Sequence, residues 1–399
     1  MFYQLPPAGE PVTIPGDFPV SPDLGGLFSP YVPSFYGSAT SALAATLIAA
    51  IARVRTPSPE VLLPAYGCPA LVSAVLFAGA CPRLVDLERD RPWMDLNGLR
   101  SALNPNTVAV VGVDLFGIPE RYRMIREIIS GTGIVLVQDS AQALARPMDA
   151  HWLGDYIIFS FGRGKPVSLL HGGAVLARDD VLARALPMPP LQAPVRRGQS
   201  GIAWRARLYN LLSSAWLYWL PAGLPFLGLG ATHYRPLVLI EAADPLLLEW
   251  LPANIQAHWR RGDDRQRSIH RILEELADNR FVDLPGVCAP DAAVPRLLRY
   301  PILVSDPEVR QRLFDCLGRC GLGASAMYPS SLPGVPGLER LFGGVSCAQA
   351  DSFSRQIVTL PVHSRVRARD IQRMRTCFAR TSSSTGNPDQ RGSRVNTAS

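Results

Sequence analysis

Tyr156-Ile157-Ile158-Phe159-Ser160-Phe161-Gly162-Arg163-Gly164-Lys165 is the stretch that decides how this chain is read. Its first half is a short apolar run of aromatic and β-branched residues, which reads as a buried strand. Its second half is a glycine-punctuated loop ending on Lys165. That lysine is the only one in 399 residues; with 40 Lys+Arg in all, the other 39 basic residues are arginine. Arginine has served wherever a fixed positive charge was enough. A guanidinium does not release its proton, so it cannot attack a carbonyl as a free amine, whereas a lysine with a lowered pKa can. A solitary lysine in such a chain points to amine chemistry; the alternative is a chance lysine on a surface loop.

Working outward, the chain before this stretch alternates between two periodicities. Residues 61–63, 83–86, 107–113 and 134–137 are short apolar runs that read as strands. Residues 38–54, 69–79, 95–103 and 119–130 read as helices between them. After the lysine loop, His171-Gly172-Gly173-Ala174-Val175-Leu176 reads as a tight turn into a further strand. Nearly continuous apolar strands alternating with helices predict an α/β fold with a mainly parallel sheet covered on both faces. In such folds the ligand lies beyond the carboxyl ends of the strands. Asp139 falls at such an end, followed by Ser140-Ala141-Gln142. The helix opening at Ser38-Ala39-Thr40-Ser41 offers capping hydroxyls and free N–H groups, and such an end attracts phosphate as readily as it caps itself.

An amine, a carboxylate at a strand end, hydroxyls and a helix N-terminus facing one crevice are what pyridoxal phosphate requires: an amine to hold its aldehyde, a carboxylate to keep its pyridine nitrogen protonated, and donors for its phosphate.

The segment from about 36 to 380 resembles the DegT/StrS-type sugar aminotransferases, a branch of the fold-type I pyridoxal-phosphate enzymes. Ser38-Ala39-Thr40-Ser41-Ala42-Leu43 is similar to the family's S-G-T-x-A-L turn, and Asp139-Ser140-Ala141-Gln142-Ala143-Leu144 to its D-A-A-Q-A-L. Phe159-Ser160-Phe161 with Lys165 resembles its F-S-F-x-x-x-K, and Thr359-Leu360-Pro361-Val362-His363 its late S-L-P-L-H. The resemblance implies a large cofactor domain at 36–244, a linking helix at 245–280 and a small α/β domain at 281–380. Lys165 would be the Schiff-base lysine and general base, and Asp139 the partner of the pyridine nitrogen. Gln142 would contact the phenolic oxygen side, and Thr40, Ser41 and Ser160 would hold the phosphate. The implied reaction moves an amino group from glutamate to a keto-sugar bound to a nucleoside diphosphate, for polysaccharide or glycoconjugate synthesis. The implied assembly is a homodimer with active sites at the subunit interface. Three positions depart from the family pattern: Cys68 stands where an aromatic ring covers the cofactor, so Tyr66 is the candidate to stack instead; Asp114 replaces a common histidine; and His233 takes the place of an asparagine that reaches the neighbouring subunit's phosphate. These departures keep open a second reading, a catalytically altered relative serving as a membrane-proximal interaction protein in glycan assembly.

Net charge is +7, and no run interleaves basic and aromatic residues in the way nucleic-acid binding requires. The seven cysteines lack paired spacing, so neither a zinc site nor a disulfide framework is expected, and Cys316 and Cys320, four apart on a helix, are expected to face the protein core rather than bind a metal. The start carries no signal-peptide pattern, and a cytoplasmic protein with reduced thiols is expected. Residues 1–35 read as an arm without lasting periodicity. Residues 185–230 are an unusual insertion, irregular at 187–207 and then nearly uncharged. Pro221 and Pro225 break the apolar run, so a helix at about 205–219 is expected rather than a membrane span. That segment is expected to be buried or dimer-facing, with weak membrane-surface contact through 205–226 as the sharper alternative. Residues 381–399 lack apolar periodicity and are expected to be disordered.

Overall fold

The computed structural model describes residues 3–16, 23–147, 152–187, 199–224, 230, 232–289 and 296–383. Seven strands form one sheet in the order β1-β7-β6-β5-β4-β2-β3. They are β1 Val32–Tyr36, β2 Glu60–Pro64, β3 Cys81–Val85, β4 Thr107–Val113, β5 Val135–Asp139, β6 Tyr156–Ser160 and β7 Gly173–Ala177. From β3 to β6 every pairing is parallel. β7 runs antiparallel to β6, and β1 antiparallel to β7. β2, β4, β5 and β7 are buried along their whole length, as strands covered on both faces must be. The predicted α/β class is the observed one. The arm expected over 1–35 is shorter than read: Val32–Tyr36 forms an edge strand, and Leu24–Phe28 a short helix before it. A five-residue edge strand with two polar or proline positions carries too little periodicity to stand out in sequence.

A second sheet, β10-β9-β8, is antiparallel and built from β8 Phe281–Asp283, β9 Arg299–Val304 and β10 Ile357–Pro361. The helices Pro307–Arg319 and Ala368–Ser383 pack together in this part of the chain. The final helix therefore includes 381–383, and the rest of the tail expected to be disordered lies outside the described residues. The helical stretch expected at 245–280 is two helices, Pro245–Arg260 and Asp264–Leu276, separated at Arg261, which has extended backbone.

The first residues strap the molecule together. Tyr3 Oη donates to Asp370 at 2.7 Å, and Leu5 N–H to the Gly321 carbonyl at 2.8 Å. His363 Nε2–H donates to the Pro6 carbonyl at 2.8 Å. Two asparagines then grip the arm: Val12 N–H donates to Asn210 Oδ1 and Thr13 N–H to Asn254 Oδ1, each at 2.8 Å. Asn210 lies on the helix Gln199–Leu212, so the insertion is anchored to the arm. That helix begins six residues before the expected 205, and a short helix Trp219–Ala222 follows; part of the irregular stretch, 188–198, lies outside the described residues, as do 225–229. Ile202, Ala206 and Ala215 are buried, while Trp204, Leu211 and Trp216 are about half exposed. No helix among the described residues is long and apolar enough to cross a membrane.

The expectation of no disulfide is corrected by the structure. Cys316 and Cys377 are bonded, with their Cα atoms 5.6 Å apart. They lie 61 residues apart on two packed helices, a proximity that spacing in sequence does not reveal.

Candidate active site

Ser38 starts the construction. Its backbone is extended, and its Oγ accepts the Ser41 N–H at 3.0 Å, capping the helix Ala39–Val54. A capped helix still leaves first-turn N–H groups pointing outward, and here Thr40 carries one of them. β7 approaches the same helix start. A Cβ on Gly173 would lie 2.4 Å from Ala39 N, and Gly172 has φ +113°, so both positions require glycine. The glycine pair thus lets a strand pass directly under the helix N-terminus without a side chain closing the space.

That space is a cavity of about 260 Å³. Ser38, Thr40, Asp139, Ser160, Lys165 and Gly172 line it, with Cys68, Leu170 and His171. Four residues picked out in the sequence, Thr40, Asp139, Ser160 and Lys165, therefore meet in one place. They come from the helix start, the end of β5, the end of β6 and the loop after it. Leu170 holds a left-handed φ of 74° at the rim, a conformation concentrated at functional sites.

The electrostatics distinguish Asp139. Burial pushes its carboxyl up to about 6, against the opposing pull of the Ala141 N–H and the Lys165 charge. Its Oδ1 accepts the Ala141 N–H at 2.9 Å. Lys165 is half-buried and makes no hydrogen bond or ion pair among the described residues. A carboxylate short of donors and an uncommitted amine share a cavity whose other end is a helix N-terminus. That donor set fits pyridoxal phosphate, with Lys165 for the aldehyde, Asp139 for the pyridine nitrogen, and Ser38, Thr40 and Ser160 for the phosphate.

The remaining predicted residues do not reach the cavity wall. Ser41 is fully buried, its N–H committed to Ser38 and its Oγ accepting from Ser38 Oγ at 3.0 Å. Tyr66 is fully buried too; its hydroxyl donates to the Tyr328 carbonyl at 2.9 Å, and its ring packs edge-on against Tyr328 and Phe353. It does not swing into the space left by Cys68. Gln142 accepts the Phe116 N–H at 2.9 Å and points its amide at Tyr328 Oη, 3.4 Å away. His233 is exposed and outside the lining. Sequence reading gave no site role to Leu170 or His171. The left-handed backbone of a leucine has no signature in composition.

Asp114 is held by the protein's own donors. It is buried and accepts hydrogen bonds from Ser140 Oγ at 2.5 Å, Tyr122 Oη at 2.7 Å, Glu120 N–H at 3.2 Å and Gln138 Nε2 at 3.3 Å. Burial still raises its pKa, although all four donors lower it.

Comparison with known proteins follows the same geometry. A sequence model of the DegT/DnrJ/EryC1/StrS aminotransferase family matches residues 35–196. Over 333 residues the chain is 31% identical to the UDP-N-acetyl-3-dehydro-alpha-D-glucosamine 3-aminotransferase of Acidithiobacillus ferrooxidans, covering 82% of this chain and 78% of that one. It is 32% identical over 130 residues to the L-glutamine:2-deoxy-scyllo-inosose aminotransferase of Streptomyces kanamyceticus, a match spanning only 30% of that relative's length. Among solved structures, Helicobacter pylori PseC, an aminotransferase of pseudoaminic acid biosynthesis, superposes with a TM-score of 0.70 at 15% identity, over 95% of this chain and 99% of that one.

Proposed function

The chain belongs to the DegT/DnrJ/EryC1/StrS family of pyridoxal-phosphate-dependent aminotransferases, and on that premise we propose that it moves an amino group from glutamate to the carbonyl of a keto-sugar carried on a nucleoside diphosphate. The observation that carries the reading is the convergence of Lys165, Asp139, Thr40 and Ser160 on one cavity. The similarity to an enzyme named for a UDP-linked sugar supports the nucleotide.

Bound pyridoxal phosphate supplies an aldehyde that condenses with amines and a pyridinium ring that takes up electrons from the carbon beside the amine. Lys165 would hold the aldehyde, and as a free amine it is the group placed to take the α-proton of the amino donor. Asp139, buried at the end of β5, would keep the proton on the pyridine nitrogen. Thr40 and Ser160 would hold the phosphate at the helix start. The same reading makes the protein a homodimer, in which the exposed His233 serves the partner's phosphate rather than its own, and assigns it to polysaccharide or glycoconjugate synthesis.

Two measurements test this. Protein purified with the cofactor should show the near-visible absorbance of a lysine-bound pyridoxal group, and Lys165→Ala should lack it. In that variant activity should fall by about a hundred- to ten-thousandfold. Isotope-labelled nitrogen should pass from glutamate to a keto-sugar nucleotide; transfer from glutamine alone would overturn the donor. Absence of the absorbance from the wild-type protein would overturn the whole reading.

A further inference from the structure

Away from the cofactor cavity, three sulfur atoms come together between two helices. Cys316 and Cys320 lie one turn apart at the end of the helix Pro307–Arg319, where Cys320 is the capping residue and its N–H donates to the Cys316 carbonyl at 3.1 Å. Cys377 comes from the neighbouring helix Ala368–Ser383. The three Sγ atoms all lie within 4.8 Å of one another. Among the described residues no other group of three or more Cys, His, Asp or Glu side chains converges in this way. Cys316 and Cys377 are joined as a disulfide, Cys377 is buried, and Cys320 is half-buried.

A disulfide accounts for two of these residues and leaves the third unexplained. Three thiolates around one cation with metal–sulfur bonds of about 2.3 Å sit roughly 3.8 Å apart, inside the 4.8 Å within which all three Sγ atoms lie. We propose that the reduced form of Cys316, Cys320 and Cys377 binds one thiophilic divalent cation of the zinc class, held by three thiolates with a fourth position open to solvent beside half-buried Cys320. The bridge must first accept two electrons and two protons from a cellular dithiol, which is oxidised to its own disulfide. The cation then displaces the three thiol protons to solvent. None of the three cysteines lines the cofactor cavity, so the ion would clamp the two helices and leave amino transfer to Lys165.

The full-length protein with its cofactor, reduced and then freed of reductant, is titrated with Cd²⁺ alone while thiolate-to-cadmium absorbance is followed. The expected result is one cadmium per chain, displaced by Zn²⁺. In Cys320→Ser the absorbance should fall by about a third and the affinity by more than about tenfold. Cys288→Ser should titrate like the wild type. No absorbance after reduction, or a Cys320→Ser curve matching the wild type, would overturn the site. So would peptide mapping that finds the Cys316–Cys377 bond in every chain isolated from a reducing cytoplasm, which would make the disulfide the resident state.

Discussion

Asp114 and Asp139 stand at the carboxyl ends of the adjacent strands β4 and β5, close enough that the Asp114 N–H donates to the Asp139 carbonyl at 2.9 Å. Both are buried carboxylates, and burial raises the pKa of each. They differ in what the protein gives them. Asp114 accepts hydrogen bonds from four protein donors, Ser140 among them. Asp139, the residue immediately before Ser140, accepts a backbone N–H from Ala141 and otherwise faces a cavity shared with Lys165. Satisfying a buried carboxylate stabilises a fold; leaving one short costs stability and is retained where a ligand will complete it. Consecutive residues at one strand end thus face opposite ways, Ser140 turned to the Asp114 carboxylate and Asp139 to the cavity it shares with Lys165.

The contrast predicts opposite responses to the same chemical change. Asp139→Asn should lower amino-transfer turnover by about a hundred- to a thousandfold, measured with saturating cofactor, while circular dichroism stays that of the wild type. An activity within a few-fold of the wild type would erase the distinction. Asp114→Asn should do the reverse: chemical denaturation should show a loss of about 1–3 kcal/mol, with activity per folded molecule nearly kept. The smallest effect is in pH dependence. Asp139 titrates at about 6 in the folded protein against an ordinary 3.8. Between those values the folded chain keeps a proton that the unfolded chain has released. The stability from that proton is full below 3.8 and is lost as pH rises through about 6. In cofactor-free Asp139→Asn this falling component is absent, so the variant's melting temperature should gain about one to a few degrees on the wild type between about pH 4 and pH 7. A constant difference across that range would show that burial does not raise the Asp139 carboxyl.

Much of this was legible in the sequence because it is local. The run Thr107–Val113 is a strand by composition alone, and its observed bounds match the reading. Lys165, Asp139, Thr40 and Ser160 each carry chemistry at an element's end, where parallel α/β architecture sends ligands. What stayed hidden depends on partners far along the chain. Tyr66 lies two residues before Cys68, which suggested that it stacks in place of the missing ring, but the ring is claimed by Tyr328 and Phe353, more than two hundred residues away. Gln142 keeps its place in a recognisable motif, yet its amide is spent on Phe116 and Tyr328. The Cys316–Cys377 bond and the asparagine clamps on the arm follow only from helix packing, which composition does not specify.

That arm has a consequence for the order in which the chain can assemble. Tyr3, Leu5 and Pro6 leave the ribosome more than three hundred residues ahead of their partners Asp370, Gly321 and His363. The seven-stranded sheet can form from residues 32–177 while synthesis continues, whereas the opening segment meets Asn210, Ala215 and Asn254 later and completes its contacts to Gly321, His363 and Asp370 last. For that interval the segment around Tyr3, Leu5 and Pro6 is open to proteases and chaperones, and its full docking falls late in assembly.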